Sequence, residues 1–451
     1  MKSNNTNACN RIMFAATGSG KGKTTIVSGL LSLLKEKGLD LHSFKCGPDY
    51  IDPKYHEAAL GVPSTNLDPF FCDYDLLRAS FIDAAGSFNV IEACMGLYDG
   101  LGTTSECSSY QVAQALQCPI ILVVDASGMA YSLIAGIKGF LSMDESHLIK
   151  GVFLNRISSG FFEKIKPVIE KECGLDVVGY LPKSKDVELK SRHLGLMTVE
   201  ENDGVEKSKA VGAILADTVD LDRLLEIAAA DTYLPWDKKA EAAFPLSHYV
   251  KLFDSKKKIA VAYDEAFWFY YKDNIKYLEL AGAQITYFSP LHDKGIPEDI
   301  DGIYIGGGYP ENYLDQLEKN ASMSSSVKEF AKNGGHIFAE CGGFMYLCHG
   351  ILDAAGQLHK MADIFDDVAE NKGHLVRFGY VNVDFDGQAI KGHEFHHYDV
   401  STPGDEALVT KASTGASYKA FRRYRNVLAG FPHLYFFSNP DFIIDFFDRK
   451  N

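Results

Sequence analysis

The sequence predicts two α/β domains, the first built on a parallel β-sheet. Apolar runs of strand length alternate with longer segments of helical periodicity, and a second such series begins after residue 257. Between the two series, residues 231–257 lose this alternation and contain two prolines and several lysines, as linkers often do. The expected domains are therefore residues 1–230 and 258–451, with 231–257 as the linker.

Short apolar runs mark the predicted strands. Those of the first domain are RIMFAA (11–16), NVIEA (89–93), IILVVD (120–125), GVFLN (151–155) and VVGYL (177–181). Those of the second are KIAVAY (258–263), QITYF (284–288), GIYIGGG (302–308) and HIFAE (336–340). After the first run, Ile26, Leu30 and Leu33 share one face of a predicted helix, and Gly38 stands where that helix would end.

Composition narrows the class of protein. A net charge of −15 over 451 residues argues against nucleic acid or an anionic membrane as a partner. The first ten residues are polar and contain no signal-peptide core, and the apolar runs are too short to span a membrane. The nine cysteines include no CxxC pair, which favours reduced thiols and a cytoplasmic location.

The first predicted strand leads into a glycine-rich phosphate-binding loop, ATGSGKGKTT (16–25). Its pattern departs from GxxxxGK[ST] only in having Thr17 at the first glycine position. In such loops backbone N–H groups surround the phosphates, the lysine reaches the β- and γ-phosphates, and the hydroxyl binds Mg²⁺. The predicted ATP-binding residues are Gly20, Gly22, Lys23, Thr24 and Thr25.

Acidic residues follow neighbouring strands in this domain. Asp49 and Asp52 stand in GPDYIDP, and Glu92 ends a predicted strand. Ligands of open α/β sheets bind at the carboxyl ends of the strands, which places Glu92 near the phosphates and the Mg²⁺ that Thr24 would bind. Asp49 reaches this site only if its loop follows a neighbouring strand. Asn155 also ends a strand and is a candidate for contacting the adenine edge.

In the second domain, HIFAECGGFMYL places Cys341 between a strand and a helix. This is the arrangement of a nucleophile elbow, and a helix N-terminus is expected to favour the thiolate. The loop GGGYPE (306–311) follows another strand. Its backbone amides, with Gly307 as the candidate, and the amide of Gly342 would form the oxyanion hole.

A thiol nucleophile also needs a base, and two places in the sequence offer one. His433 lies late in the chain, and GHEFHHYD (392–399) contains His393, His396 and His397. The spacing of these three histidines is not typical of a metal site. From the residues alone, both places remain open.

Together these segments resemble the cobyrinic acid a,c-diamide synthase family over nearly the whole chain. The matching segments are GSGKGKTT, FKCGPDYIDPKYH, NLDPF, MGLYDG, GYLPK, RHLGL, DEAFWFYY, DNIKYLELAGA, FSPL, GGGYPE, AECGGFMYL and HEFHHY. The resemblance implies a dethiobiotin-synthetase-like ATPase domain followed by a class I-like glutamine amidotransferase domain. It also implies ATP-dependent amidation of the a and c acetates of cobyrinic acid through acyl phosphates, with glutamine as nitrogen donor.

By the same resemblance, Thr24 binds Mg²⁺, and Asp49 and Glu92 complete the metal site. Cys341 is then the glutaminase nucleophile and His433 its base, whereas Tyr50 and Asp99 lie near the substrate carboxylates. Four positions depart from the expected pattern. Class I glutaminases usually have Glu two residues after the histidine, where this chain has Tyr435. Ala93 and Cys94 replace an expected Gly-Val pair, and Lys21 is unusual within the phosphate loop.

Other functions remain open at this stage. Nickel-sirohydrochlorin a,c-diamide synthase and hydrogenobyrinate a,c-diamide synthase are alternatives, because they look like the same fold and reaction with a different macrocycle as substrate. An ATP-switch protein would have a signature lysine at the position of Gly18, and a scaffold with an inactive glutaminase domain would need an unreactive Cys341. The expected partners are small molecules only, and the oligomeric state is open, with a homodimer as one option.

Overall fold

The structure is a computed structural model that describes residues 9–183, 191–192, 195–196, 204–229 and 245–449. The chain divides into two compact units, Met1–Leu246 and Ser247–Asn451. Most of the predicted linker, residues 231–244, lies outside the described residues. Among the described residues, no helix is both long and apolar enough to cross a membrane.

The first unit contains a parallel sheet, as the alternating pattern predicts. Its strands are β1 (Asn10–Ala16), β2 (Leu41–Cys46), β3 (Ser64–Leu67), β4 (Phe88–Glu92), β5 (Ile120–Asp125), β6 (Ile149–Asn155) and β7 (Asp176–Leu181). They form a seven-stranded sheet in the order β3-β2-β4-β1-β5-β6-β7, and every neighbouring pair is parallel. The carboxyl ends of β2, β4 and β1 therefore lie side by side.

Helices connect these strands. They are α1 (Lys23–Glu36), α2 (Ile51–Leu60), α3 (Tyr74–Ala84), α4 (Ser109–Leu116), α5 (Ser132–Ser142), α6 (Ser159–Cys173), α7 (Gly204–Thr218) and α8 (Leu221–Ala229). The predicted apolar face of α1 is buried, and Gly38 takes a positive φ of 79° just after this helix. A short pair, β8 (Ser191–Arg192) and β9 (Gly195–Leu196), is antiparallel.

The second unit has its own sheet. The strands of this sheet are β10 (Lys257–Ala262), β12 (Ala283–Phe288), β13 (Gly302–Ile305), β15 (His336–Glu340), β24 (Arg422–Tyr424) and β25 (Val427–Gly430), while β11 (Phe267–Phe269) and β14 (Gly307–Gly308) pair separately. The order is β12-β10-β13-β15-β25-β24, and only the pair β24-β25 is antiparallel. All four predicted strands of this domain are present, although the run 302–308 divides into β13 and β14.

Two further sheets, which the apolar runs do not predict, are formed by strands within residues 348–434, a range that also contains β24 and β25 of the unit's first sheet. Their strands are β16 (Cys348–Leu352), β17 (Leu358–Lys360), β18 (Phe365–Asn371), β19 (Arg377–Phe385), β20 (Gln388–His396), β21 (Tyr398–Asp399), β22 (Ala407–Lys411), β23 (Ser417–Ala420) and β26 (His433–Leu434). The order β17-β16-β18-β21 makes one sheet and β23-β22-β19-β20-β26 the other, which is wholly antiparallel.

Helices of the second unit are short. They are α9 (Lys272–Leu280), α10 (Leu314–Lys319), α11 (Ala321–Lys332), α12 (Gly342–Leu347) and α13 (Phe442–Asp448), with 3₁₀ turns at Leu246–Tyr249, Pro310–Asn312 and Phe436–Ser438. Helix α12 and β15 are buried along their whole length. The corner between them is therefore fixed by core packing on both sides.

Candidate functional site

The predicted phosphate loop joins β1 to α1 in the first unit. Gly22 is the N-cap of α1 with φ of 90°, and a side chain there would collide with the amide of Asn155. The buried Lys23 donates hydrogen bonds to the carbonyl oxygens of Met95 and, at 3.3 Å, Gly18. The lysine ammonium thus lies close to the loop backbone at Gly18, and its contact with phosphate stays a prediction.

Carboxylates from two neighbouring elements meet the first turn of α1. The Thr24 hydroxyl donates to Glu92 Oε1 at 2.5 Å and lies 3.5 Å from Asp52 Oδ2. Glu92 ends β4 and is fully buried, whereas Asp52 stands in the first turn of α2. The structure therefore brings together the threonine and the strand-end glutamate that the sequence places near the phosphates.

Lys45 is the member of this cluster that the sequence analysis missed. Its ammonium lies 2.5 Å from Asp52 Oδ2, 2.8 Å from Glu92 Oε1 and 3.8 Å from Asp49 Oδ2. Burial lowers the pKa of Lys45, but the three carboxylates outweigh it, led by Asp52, and raise that pKa well above its usual value. A charged residue inside the buried strand LHSFKC is the signal that could have identified it.

Asp49 is held by the start of α2. Its Oδ1 accepts the N–H groups of Ile51 at 2.9 Å and Asp52 at 3.1 Å. Burial, together with the charge of Asp52, raises the pKa of Asp49 to about 7. Asp52, rather than Asp49, is the aspartate near Thr24, so the assignment of Asp49 as a metal ligand stays a prediction.

The two predicted substrate residues lie on loops that follow β2 and β4. Tyr50 is the N-cap residue of α2 and is partly buried. Asp99 is exposed, and its Oδ2 accepts the N–H of Gly96 at 2.8 Å. Because β2 and β4 are neighbours, both loops leave the same edge of the sheet.

Two side chains, those of Asn155 and Lys21, connect the phosphate loop to the ends of β6 and β5. Asn155 Nδ2 donates to the carbonyl oxygen of Lys21 at 2.7 Å. The Lys21 ammonium lies 3.6 Å from Asp125, which also receives a hydrogen bond from Arg156 at 2.9 Å. These contacts explain the unusual lysine in the loop, whereas the adenine contact of Asn155 stays a prediction.

Cys341 occupies the corner between β15 and α12. Its backbone has φ of 49° and ψ of −108°, a conformation that is costly for a residue with a side chain. The corner is held because Cys341 N–H donates to Gly430 O at 2.8 Å and its carbonyl accepts the N–H of Met345 at 3.0 Å. This is the predicted elbow geometry.

The His433 ring and Cys341 both lie next to Gly307. A methyl group on Gly307 would touch the His433 ring and would lie 3.1 Å from its Nε2 and 3.3 Å from Cys341 Cβ. The small space beside Gly307 is therefore bounded by the thiol residue and the imidazole. Gly342 packs against the same loop, since a methyl group on it would lie 3.1 Å from the Gly308 nitrogen.

The expectation of a thiolate is wrong for this structure. Burial raises the pKa of the Cys341 thiol far above its usual value, and the Glu311 carboxylate raises it further, whereas the N–H of Gly342 acts in the opposite direction. Burial, with smaller effects of His393 and His396, lowers the pKa of His433 to about 3. At neutral pH the two groups of this structure are therefore a thiol and a neutral imidazole.

Two histidines of HEFHHY, His393 and His396, are buried close to His433. His393 is buried on β20 directly opposite His433 on β26. His396 stacks on Phe431 at 4.2 Å between ring centroids, and its Nδ1 is 2.7 Å from the carbonyl oxygen of Tyr398. Tyr435, at the position of the missing glutamate, donates its hydroxyl to Asp273 at 2.6 Å.

Each of the two units matches a known domain family. Residues 12–196 match the family described as the CobQ/CobB/MinD/ParA nucleotide binding domain. Residues 258–441 match the CobB/CobQ-like glutamine amidotransferase domain. The first match covers the phosphate loop and its carboxylates, and the second covers Cys341 and His433.

Curated relatives match over nearly the full length. Proteins named cobyrinate a,c-diamide synthase are 37% identical in Caldanaerobacter subterraneus subsp. tengcongensis (98% of each chain) and 39% identical in Listeria monocytogenes (97% of this chain, 99% of the relative). The relative of that name in Clostridium acetobutylicum is 39% identical over 96% of this chain and 98% of its own. The chain belongs to the cobyrinate a,c-diamide synthase family of glutamine-dependent amidating ligases.

Proposed function

We propose that this chain uses ATP to activate the a and c acetate carboxylates of cobyrinic acid as acyl phosphates and converts them to amides with ammonia from glutamine, as a step of cobalamin biosynthesis. The observation that carries the proposal is the presence in one chain of a lysine–threonine–carboxylate phosphate site and a separate Cys341–His433 corner. The names of the full-length relatives supply the substrate class.

At the corner, the Cys341 sulfur attacks the carboxamide carbon of glutamine while His433 takes the thiol proton. The backbone N–H groups of Gly307 and Gly342 are the proposed donors to the oxyanion that forms. His433 then gives its proton to the leaving nitrogen, which departs as ammonia. Water attacks the resulting thioester, giving glutamate and restoring the thiol.

At the phosphate site, a substrate carboxylate oxygen attacks the γ-phosphorus of ATP and ADP leaves. A carboxylate resists attack by ammonia, whereas an acyl phosphate carries a good leaving group. Lys23 lies over the phosphate loop, and Lys45 meets Glu92 beside Thr24. These two ammonium groups provide positive charge for the phosphate and for the substrate carboxylate. Ammonia then displaces phosphate to leave the amide.

The oxygen atoms beside Thr24 fit a magnesium ion that binds together with ATP. Such ions take one or two carboxylates plus phosphate oxygens and water, so the lack of a cluster of three or more metal ligands among the described residues is compatible with the site. Glu92 Oε2 is buried and has no hydrogen-bond partner in the described part of the chain. When bound, the ion would offset phosphate charge. Thr24 and Glu92 would hold it, and Asp49 is the proposed further ligand, although Asp52 is the aspartate nearer Thr24.

A matched pair of variants tests the division of labour. Cys341→Ala should abolish glutamine-dependent amidation but leave amidation driven by ammonium salts, because the phosphate site is intact. Lys23→Ala should abolish amidation with either nitrogen source. Product formation is measured by mass spectrometry with each source. Failure of ammonium to support Cys341→Ala, or ammonium-driven turnover in Lys23→Ala, would contradict these assignments.

A further inference from the structure

Glu340 is a buried carboxyl group that the proposed mechanism does not use. It ends β15 and directly precedes Cys341, and its side chain is 1% exposed. Burying a carboxyl group is costly unless both of its oxygens find partners. The partners of Glu340 therefore indicate why it is placed there.

The two oxygens of Glu340 join three strands. Oε1 accepts the backbone N–H of Leu434 at 2.7 Å, and Oε2 accepts the hydroxyl of Tyr304 at 2.8 Å. Leu434 follows His433 on β26, and Tyr304 lies on β13. The residue before the nucleophile thus holds the peptide group that follows the base.

A second side chain completes this hold. Asn274 is fully buried on α9; its Nδ2 donates to the carbonyl oxygen of Leu434 at 2.7 Å, and its Oδ1 accepts the N–H of Phe436 at 2.9 Å. Both backbone polar groups of Leu434 are therefore fixed by buried side chains. Such satisfied networks hold one geometry firmly.

We propose that Glu340 is a positioning residue, which sets His433 against Cys341 by holding the backbone N–H of Leu434. This inference rests on the proposed roles of Cys341 and His433. It assigns the orientation of His433 to a backbone contact, in a chain that has Tyr435 where the related glutaminases usually have a glutamate. Glu340 acts here as a hydrogen-bond acceptor, and its negative charge is not required.

The protonation state agrees with this role. Burial raises the pKa of Glu340 to about 8, although hydrogen bonds from Leu434 and Tyr304 act against it. In the neutral acid, which predominates below that pH, the protonated Oε2 would donate to the oxygen of Tyr304 while Oε1 still accepts from Leu434, and glutamine is a close substitute for this form. A glutamine at position 340 keeps an oxygen for Leu434 and presents its NH₂ group to the oxygen of Tyr304.

The test compares Glu340→Gln with Glu340→Met, which keeps the side-chain length but removes the acceptor. Both are assayed for glutamine hydrolysis, for ammonium-driven amidation and for labelling of Cys341 by a diazo-ketone analogue of glutamine. Glu340→Gln should retain kcat for glutamine within about threefold, whereas Glu340→Met should lose about 100-fold in kcat. Ammonium-driven amidation should be unchanged in both.

Two outcomes would overturn the proposal. One is a loss of glutamine hydrolysis in Glu340→Gln as large as in Glu340→Met, since that would show that the charge matters. Another is full activity of Glu340→Met.

Controls separate this idea from the assignments on which it rests. If Cys341→Ala still hydrolyses glutamine, the nucleophile assignment fails, whatever Glu340 does. If Cys341→Ala is inactive and Glu340→Met is active, only the positioning role fails. Tyr304→Phe removes one donor to Glu340 but leaves Leu434 held, so it should retain most activity. Near-ultraviolet circular dichroism checks the fold of each variant, and Glu340→Gln keeps the test decisive should Glu340→Met misfold.

Discussion

At the scale of single residues, Gly307 keeps open the space in which the thiol and the imidazole would meet a carboxamide. The atom that a side chain would add there lies 3.3 Å from Cys341 Cβ and against the ring of His433. These distances leave no room for both a methyl group and a substrate. The requirement for glycine is thus steric and arises from the site itself.

Gly307→Ala should therefore reduce glutamine-dependent amidation by about 100-fold, because the methyl group displaces the substrate or the base. Ammonium-driven amidation should stay near the unaltered level. Gly139→Ala is the matched control, since a methyl group there meets nothing within 4 Å. Equal glutamine-dependent rates for Gly307→Ala and the unaltered protein would show that the reacting groups meet elsewhere.

At this scale the sequence predicts several residues of each site, but it does not predict how their surroundings shift their pKa values. The Cys341 corner follows from a strand, a cysteine and two glycines, and Glu92 follows from its place at a strand end. Lys45 was missed because its meaning depends on three carboxylates that tertiary structure brings to it. The predicted direction of the Cys341 pKa shift was wrong because burial raises this pKa more than the hydrogen bond from the Gly342 N–H lowers it, and burial follows from tertiary packing.

At the scale of elements, β20 and β26 bring two buried histidines together. His393 and His433 are paired across these antiparallel strands, and burial lowers the pKa of His393 to about 3. In the unfolded chain a histidine titrates near its ordinary value of about 6.5. Between these values the unfolded chain binds a proton that the folded chain does not, so the folded unit loses stability as the pH falls.

His393→Gln should remove this part of the acid sensitivity. The free energy of unfolding of the unaltered protein should fall, relative to the variant, by at most about 1.4 kcal/mol per pH unit below about pH 6.5. Urea unfolding across that range, followed by near-ultraviolet circular dichroism, measures the difference. His397→Gln, at a more exposed neighbouring position, is the control. A pH-independent difference between His393→Gln and the unaltered protein would contradict the buried neutral state.

The sequence predicts the buried parallel strands, whereas it does not predict the antiparallel strands of residues 348–434. Buried strands such as β5 are continuous apolar runs, which stand out against polar connections. In β19, buried Val381 and Val383 alternate with exposed Asn382 and Asp384, and the short run resembles a loop. The sheet that holds His433 was therefore not predicted, although the histidine itself was named.

At the scale of the molecule, the chain consists of two compact units with their boundary between Leu246 and Ser247. Each has a separate apolar core, one around β1 and α1 and the other around β15 and α12. Each unit also contains one of the two proposed chemistries. This arrangement explains why variants at the thiol corner and at the phosphate loop should differ in their response to ammonium.

The central claim is that the two sites together amidate a corrinoid. The most direct measurement is to incubate the purified protein with Mg-ATP, glutamine and cobyrinic acid, in parallel with nickel-sirohydrochlorin, and to follow the product mass. The account predicts two successive acid-to-amide mass changes with cobyrinic acid, each dependent on ATP and on glutamine. Amidation of the nickel compound alone would replace the substrate but keep the chemistry, and no change in either would contradict the account.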